Sequence, residues 1–153
     1  LKWPNDFLLN KKKIGGILLE SVVTNNKKER ALVIGFGLNL VSCPSSRMLE
    51  SDALSAAHLN DSLKTLPTVE EFLKILMDNF DNWNDSFLKQ GFKKIREAFI
   101  KRTIPIGEHV QVKMLNDCTN GIFLGINDDG SLILDCSNGT IFVTAGDVLL
   151  IGN

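Results

Sequence analysis

The chain has 153 residues, of which 44% are hydrophobic and 23% are charged, and its formal net charge is -1 at pH 7. This balance is typical of a globular protein with one main core and room for a small second one. Since the chain lacks the basic excess of nucleic-acid-binding domains and any apolar run of the roughly 20 residues that span a bilayer, we expect no nucleic acid and no membrane as partners.

The three cysteines and two histidines are scattered along the chain. They form neither a C-x-x-C pair nor a histidine motif at metal-ligand spacing, and an odd cysteine count does not fit a disulfide framework. We therefore expect a cytoplasmic location and no metal site built from protein ligands alone.

Three strands are predicted in the first part of the chain, at residues 6–10, 14–23 and 30–41. The second and third are nearly continuous apolar runs, which is typical of strands that are buried on both faces. Short polar turns separate the three segments, so the expected arrangement is an antiparallel meander. The lysine-rich residues 10–13 are interpreted as a solvated hairpin turn.

Two helices are predicted next. Thr68 and Glu71 stand at the spacing of a capping box, and Gly91 marks the end of the first helix. Apolar residues recur at three- and four-residue intervals along it and predict one stripe that faces a core. This stripe consists of Val69, Phe72, Leu73, Leu76, Phe80, Trp83 and Phe87. A shorter helix is predicted at residues 92–102.

The apolar period changes to two after Ile106, which indicates strands. Five short strands are predicted, at residues 109–115, 120–127, 131–136, 140–143 and 148–151. Asp-Gly and Asn-Gly pairs between them are strong signals for two-residue hairpin turns. Five short antiparallel strands with tight turns predict a small barrel.

Candidate site residues concentrate in the first 39 residues. Lys2, Trp3 and Pro4 place a cationic amine beside an apolar plane and a rigid ring, which suits an anion attached to an apolar ligand. The glycines of the second and third strands indicate a bulge or a close approach of the backbone to a ligand. These glycines are Gly15, Gly16, Gly35 and Gly37. Asn39 adds a side-chain donor and acceptor.

The order and spacing of these blocks resemble those of one family. The sequence KWPNDFLLNKKKIGGILLE, followed by IGFGLNL, is similar to the core of the biotin protein ligases, the biotin–[acetyl-CoA-carboxylase] ligase family. The resemblance implies an α+β fold. Residues 1–103 would form the C-terminal part of a class II synthetase-like catalytic domain, with a mixed or antiparallel sheet and packed helices. Residues 104–153 would form a small all-β barrel like that of Src-homology-3 domains.

The resemblance also implies an activity. Biotin protein ligases activate biotin with ATP to biotinyl-5'-AMP and then transfer biotin to a lysine of a biotin carboxyl carrier protein, here that of acetyl-CoA carboxylase. Both steps build negative charge that a fixed cation stabilises. Lys2 matches the catalytic lysine of the KWPND motif, which contacts the biotin carboxylate and the phosphate.

The resemblance to biotin protein ligases also implies the remaining site residues. The biotin-binding set is Lys2, Trp3, Gly15, Gly16, Ile17, Leu18, Gly35 and Gly37, with Trp3, Ile17 and Leu18 as apolar walls and the glycines beside the ureido ring. Asn39 matches the asparagine beside the triphosphate and Mg²⁺, so Lys2 and Asn39 form the expected site for ATP and Mg²⁺. Asn5 and Asp6 belong to the motif and could equally fix the turn.

The chain begins with Leu1 inside the motif, so we expect it to be a fragment whose partner is the missing N-terminal half, with its arginine- and glycine-rich loop. The exposed sheet edge that this implies predicts self-association, for example as a homodimer. Two alternatives stay open. One is a catalytically inactive fragment that acts as a binding or regulatory module, and the other is a lipoate ligase relative, against which the KWPND block and the Gly15-Gly16 pair argue.

Overall fold

The computed structural model describes residues 1–23, 30–48, 54–114 and 117–151. Its internal contacts divide the chain into two units. One is Asn5–Lys64, and the other combines Leu1–Pro4 with Thr65–Asn153. The domain boundary between residues 103 and 104 stays a prediction.

The first unit, Asn5–Lys64, contains a three-stranded antiparallel sheet in the order β1-β2-β3. Its strands are β1 Asp6–Leu9, β2 Lys12–Val23 and β3 Arg30–Leu38. Short 3-10 helices follow at Ser46–Met48 and Leu59–Asp61. The predicted meander is confirmed. Asn10 and Lys11 form the β1–β2 turn with φ values of 50° and 64°.

The prediction that β2 and β3 are buried on both faces is wrong for the described residues. Leu18 and Leu19 of β2 are 62% and 58% exposed, and Leu32 of β3 is 60% exposed. Burial needs a second layer of structure on each face of a sheet. Within this unit, cover is concentrated at the start of β2, where Lys13 bridges to Ala56 and Ile14 is buried.

The helices of the second unit are α1 Val69–Gln90 and α2 Phe92–Ile100. The predicted capping box is confirmed, because the Glu71 N–H donates to Thr68 Oγ1 at 3.1 Å and the Thr68 N–H donates to the Glu71 carboxylate at 2.8 Å. Gly91 ends α1 with a φ of 70°. Both helices therefore lie where the sequence predicts them.

The apolar stripe of α1 does not face a core among the described residues. No described residue of α1 is buried, and Leu73, Phe80 and Phe87 are 53%, 44% and 47% exposed. The physical reason is one of length, since the nine residues of α2 cannot cover a helix of 22 residues. The predicted apolar stripe is therefore present on α1, but the described residues do not bury it.

The strands of the second unit form a five-stranded antiparallel sheet in the order β7-β6-β5-β4-β8. They are β4 His109–Lys113, β5 Cys118–Ile126, β6 Leu132–Cys136, β7 Gly139–Val143 and β8 Asp147–Leu150. Alternate residues point inward, so Val110 and Val112 on β4 and Leu132 and Leu134 on β6 are all fully buried. The five predicted strands are confirmed, and they enclose one apolar core.

Candidate functional site

Lys2 is held by the beginning of β8. Its Nζ donates to Asp147 Oδ1 at 2.5 Å and to the Val148 carbonyl oxygen at 3.0 Å, and only 2% of the residue is exposed. A buried ammonium group is tolerated only when acceptors or a counter-charge compensate for its lost hydration. The structure thus holds the Lys2 ammonium group against acceptors of β8, while its contact with an anionic ligand stays a prediction.

Trp3 lies in the apolar core of the five-stranded sheet. It is 7% exposed, belongs to the same buried cluster as Phe123, and its indole Nε1 donates to the Gly130 carbonyl oxygen at 3.1 Å. The peptide bond between Trp3 and Pro4 is cis. This packing anchors the backbone next to Lys2, while a role for Trp3 as a ligand wall stays a prediction.

The turn that carries the Trp3 acceptor is itself fixed by hydrogen bonds. Asp129 accepts from the Ser131 hydroxyl at 2.6 Å and from the Ser131 backbone N–H at 2.9 Å. These bonds favour the charged carboxylate and hold the pKa of Asp129 below its ordinary value. Ser131 is almost fully buried, so the turn around Gly130 is a rigid support for Trp3.

Asn5 and Asp6 fix the start of the first sheet. The Asn5 side-chain Nδ2 donates to the Ile17 carbonyl oxygen at 2.5 Å, and the Ile17 N–H donates to the Asn5 carbonyl oxygen at 3.0 Å. Asp6 is 6% exposed and pairs with Lys13 Nζ at 2.6 Å. Both motif residues therefore have a structural role in joining β1 to β2.

The predicted residues on β2 and β3 divide between the two faces of the sheet. Gly16 pairs with Gly37 and Leu18 pairs with Gly35. Directly opposite residues of an antiparallel pair share a face, as do alternate residues of one strand. These four residues therefore lie on one face, which we call the glycine face. Gly15 and Ile17, which pair with Leu38 and Phe36, lie on the other.

The chain itself explains only some of these glycines. A Cβ on Gly15 would lie 2.2 Å from the Gly37 carbonyl oxygen, so the close approach of β3 requires glycine there. By contrast, a Cβ on Gly35 would lie 3.5 Å from the Leu18 carbonyl oxygen, and a Cβ on Gly37 would lie 4.0 Å from the Gly16 carbonyl oxygen, both at ordinary contact distance. The contact between β2 and β3 therefore does not by itself require glycine at positions 35 and 37.

Asn39 follows β3 and connects three segments of its unit. Its backbone N–H donates to the Ile14 carbonyl oxygen at 2.7 Å, and its side-chain Nδ2 donates to the Ala57 carbonyl oxygen at 3.0 Å. With the amide nitrogen held by Ala57, the side-chain oxygen Oδ1 is the atom of Asn39 that can act as a cation ligand. Among residues 1–23, 30–48, 54–114 and 117–151, no group of three or more His, Cys, Asp or Glu side chains could hold a metal ion.

Sequence reasoning missed Asp147 as the partner of Lys2. The two residues are 145 positions apart, and no local pattern links a lysine at the start of the chain to an aspartate at the start of a distant strand. The Gly146-Asp147 pair reads in the sequence as an ordinary turn. Neither helix in the described part of the chain combines the length and apolarity needed to cross a membrane.

Two family models match the chain. The model described as "Biotin/lipoate A/B protein ligase family" matches residues 1–39, which include Lys2, the glycine face and Asn39. The model described as "Biotin protein ligase C terminal domain" matches residues 106–150, which form the five-stranded sheet. The two matches thus cover both parts of the chain in which the candidate residues lie.

Similar proteins agree with these matches. The biotin–[acetyl-CoA-carboxylase] ligase of Paracoccus denitrificans is 34% identical over 152 residues, which are 99% of this chain and 63% of the relative. The bifunctional ligase/repressor BirA of Bacillus subtilis is 27% identical over 150 residues, 98% of this chain and 46% of the relative.

A solved structure shows the same fold. The biotin protein ligase from Aquifex aeolicus in complex with biotin and ATP has a TM-score of 0.75 and 21% identity, with 100% of this chain and 62% of that chain covered. The chain therefore spans about half to two thirds of the length of these proteins. The chain thus shares its sequence blocks, along nearly its whole length, and its fold with biotin protein ligases.

Proposed function

We propose that the protein to which this chain contributes is a biotin protein ligase. It activates biotin with ATP to biotinyl-5'-AMP and transfers biotin to a lysine of a biotin carboxyl carrier protein in the cytoplasm. The observation that carries the proposal is the glycine face, where Gly35 and Gly37 have room for side chains that they lack. A ligand that lies flat against the backbone accounts for this surface.

Lys2 is proposed as the catalytic cation. Its ammonium group is fixed by Asp147 and Val148 and so is preorganised for negative charge that develops on a carboxylate and a phosphate. Preorganised cations lower the barrier of such steps because they need no reorientation in the transition state. The geometry of Lys2 therefore fits the role that the motif implies.

The glycine face is proposed to contact biotin. Gly16, Gly35 and Gly37 would allow close approach of the ring to the backbone, and the exposed Leu18 side chain on the same face would pack against apolar parts of the ligand. Gly15 and Ile17 lie on the opposite face, so their contact with the same ligand stays a prediction.

Asn39 is proposed to act at the nucleotide. Mg²⁺ prefers oxygen ligands, and a side-chain amide oxygen held in place by the Nδ2 hydrogen bond to Ala57 is such a group. Nucleotide-bound Mg²⁺ is usually held by few protein ligands together with the phosphates and water. One fixed oxygen from this chain fits that mode of binding.

The five-stranded sheet favours a biotin ligase over a lipoate ligase. The model that matches residues 1–39 is described for both classes, whereas the model that matches residues 106–150 is described for biotin protein ligases. The second match is therefore the observation that separates the two candidate substrates.

Calorimetric titration with a non-hydrolysable biotinyl-adenylate analogue tests the proposal. We expect the chain to bind the analogue and Lys2→Ala to weaken binding by about 1.5–3 kcal/mol, as is usual for a lost charged hydrogen bond. Lys12→Ala, on an exposed residue of the β1–β2 hairpin, is the matched control and should bind as the unsubstituted chain does. A folded chain that does not bind, or equal affinities for both variants, would contradict the proposal.

A further inference from the structure

We infer that the outer face of the five-stranded sheet, along its edge strand β7, is a docking surface for an extended, basic segment of another protein. The segment adds a strand to β7 and places a lysine or arginine side chain at Asp135. This surface lies within the second unit and contains none of the residues proposed for biotin or nucleotide binding, so the inference stands apart from the proposed function.

The free edge of β7 is the first observation. β7 pairs with β6 on one side, and the backbone hydrogen bonds between described residues include none from its other side. Edge strands are normally protected against further pairing by a charged residue, a proline or a bulge. The sequence of β7, GTIFV, has no charge and no proline, and its register with β6 is regular. Its backbone groups are therefore available for recognition by strand addition.

An apolar patch lies beside this edge. Leu132 and Val143, which pair with each other across β6 and β7, are buried in the core. The next pair, Ile133 and Phe142, therefore points to the outer face. Phe142 is 59% exposed there, and Leu124, at the β5 bulge beside Ile133, is 40% exposed. An exposed phenylalanine on an unprotected edge strand is a suitable contact for apolar side chains of an added strand.

Charge identifies the class of partner. Residues 106–150 contain six acidic residues and one basic residue, a net charge of -5, whereas the whole chain has -1. Asp135 is exposed on the outer face of β6 and pairs in register with Thr140 of β7. Within the described ranges of the chain, Asp135 forms no ion pair. A strand added to β7 would lie roughly 10 Å from β6, so its lysine or arginine side chain reaches over Thr140 to this carboxylate.

The sheet surface next to Asp135 has room for such a side chain. A groove of about 360 Å³ is lined by His109, Asn120, Asp135 and Ser137 among others. The side-chain oxygens of the asparagine, aspartate and serine are acceptors for the N–H groups of an ammonium or guanidinium group. The groove therefore favours a basic side chain over an acidic one.

The same charges argue against a second copy of this chain as the occupant. Pairing of two β7 strands would bring together two sheets that each carry a net charge of -5. Like charges that face each other across an interface disfavour association. A basic segment instead compensates the acidic charge of the sheet, so its binding is favoured by the same residues.

Two synthetic peptides test the charge requirement. Both have nine residues and a fluorescent label, and valine alternates with lysine in one and with glutamate in the other. Each is titrated with the full chain, and binding is followed by fluorescence anisotropy. We expect the lysine peptide to bind at least tenfold more tightly than the glutamate peptide, and its binding to weaken as salt is raised. A folded chain that does not bind the lysine peptide, or binds both peptides equally, overturns the inference.

Four variants locate the binding. Phe142→Thr should weaken binding of the lysine peptide about tenfold, because it removes an apolar contact. Asp135→Asn should weaken it about threefold, as is usual for an exposed ion pair. Val22→Thr, on an exposed residue of the other sheet, and Asp117→Asn, with the same change of charge near the start of β5, are the matched controls and should bind as the unsubstituted chain does. Equal losses in variants and controls overturn the inference.

Amide chemical shifts in the presence of the lysine peptide show where it binds. We expect the changes on β6 and β7, and changes confined to β3, the edge strand of the other sheet, would overturn the inference. Light scattering then tests for a second copy on β7. Phe142→Thr should self-associate as the unsubstituted chain does, whereas a loss of self-association in this variant would make another copy the occupant and so contradict a basic partner.

Discussion

The strands of both sheets are rich in apolar residues, but those residues are largely buried in the five-stranded sheet and largely exposed in the three-stranded sheet. In the five-stranded sheet, Phe123, Leu132 and Leu134 are fully buried, whereas Leu18 and Leu32 of the three-stranded sheet are 62% and 60% exposed. The five strands supply most of one buried apolar cluster, which Trp3 joins, but the three strands have exposed apolar residues and little of the same unit to cover them. Burial therefore depends on the layers around a strand and not on the strand's composition.

The difference has a functional side. The covered sheet provides rigid support, since it holds Trp3 in its core and the Lys2 ammonium at the start of β8. The open sheet provides backbone surface, because the glycine face has no side chains at Gly16, Gly35 and Gly37. Four predictions would break or sharpen this comparison.

The largest effect is expected in the covered core. Phe123→Ala should lower the free energy of unfolding by about 3–5 kcal/mol, because it removes a fully buried ring and leaves a cavity. Leu32→Ala on the open sheet should change it by less than about 0.5 kcal/mol. Urea unfolding measures both: tryptophan fluorescence follows Phe123→Ala, since Trp3 lies in the same cluster, and circular dichroism follows Leu32→Ala, which lies in the other unit. Similar losses of unfolding free energy in the two variants would contradict the difference in burial between the two sheets.

The next effect separates a glycine that the fold requires from one that it does not. Gly15→Ala should destabilise the chain by about 1–3 kcal/mol, because its Cβ would lie 2.2 Å from the Gly37 carbonyl oxygen. Gly37→Ala should leave stability nearly unchanged yet weaken binding of the biotinyl-adenylate analogue. Urea unfolding and calorimetry distinguish the two variants, and an unaltered affinity of Gly37→Ala would argue against a ligand on the glycine face.

The exposed side chains of the open sheet should make the chain self-associate, with β3 at the edge of that sheet. Leu32→Lys should weaken association about tenfold, because it removes a leucine from the surface that is buried on contact. Light scattering over a wide concentration range measures this. Leu88→Lys, on an α1 residue that is 72% exposed, is the control for association through the helix. A chain that is monomeric throughout the range would contradict the prediction.

The smallest effect on stability is expected at the turn that accepts the Trp3 hydrogen bond, where Asp129 lies. The pKa of Asp129 is lowered in the folded chain, so its charged form stabilises the fold. This contribution is fully present above the ordinary aspartate pKa of about 3.9, and it is lost as the pH falls through the lowered pKa. Asp129→Asn should therefore be less stable than the unsubstituted chain at pH 7, and the difference should shrink at pH 3. Urea midpoints at the two pH values test this, and a difference independent of pH would contradict it.

Much of the fold could be predicted from local patterns. The capping box at Thr68, the glycine at position 91 and the hairpin turns of the C-terminal strands all act within a few residues, so the sequence states them directly. The alternation of Val110 and Val112 likewise reports which side of β4 faces the core. The α1 stripe shows the limit of this reasoning, because periodicity predicts an apolar face and not what covers it.

For the candidate site, the sequence by itself determined which residues carry the family motif: the lysine of KWPND, the four glycines and Asn39. Only the tertiary structure decided that Gly15 and Ile17 lie opposite Gly16 and Leu18, that Trp3 packs in the C-terminal core, and that Asp147 holds Lys2. The physical reason is distance along the chain. Turns and periodicity depend on neighbours, whereas an ion pair across 145 positions depends on how whole sheets fold.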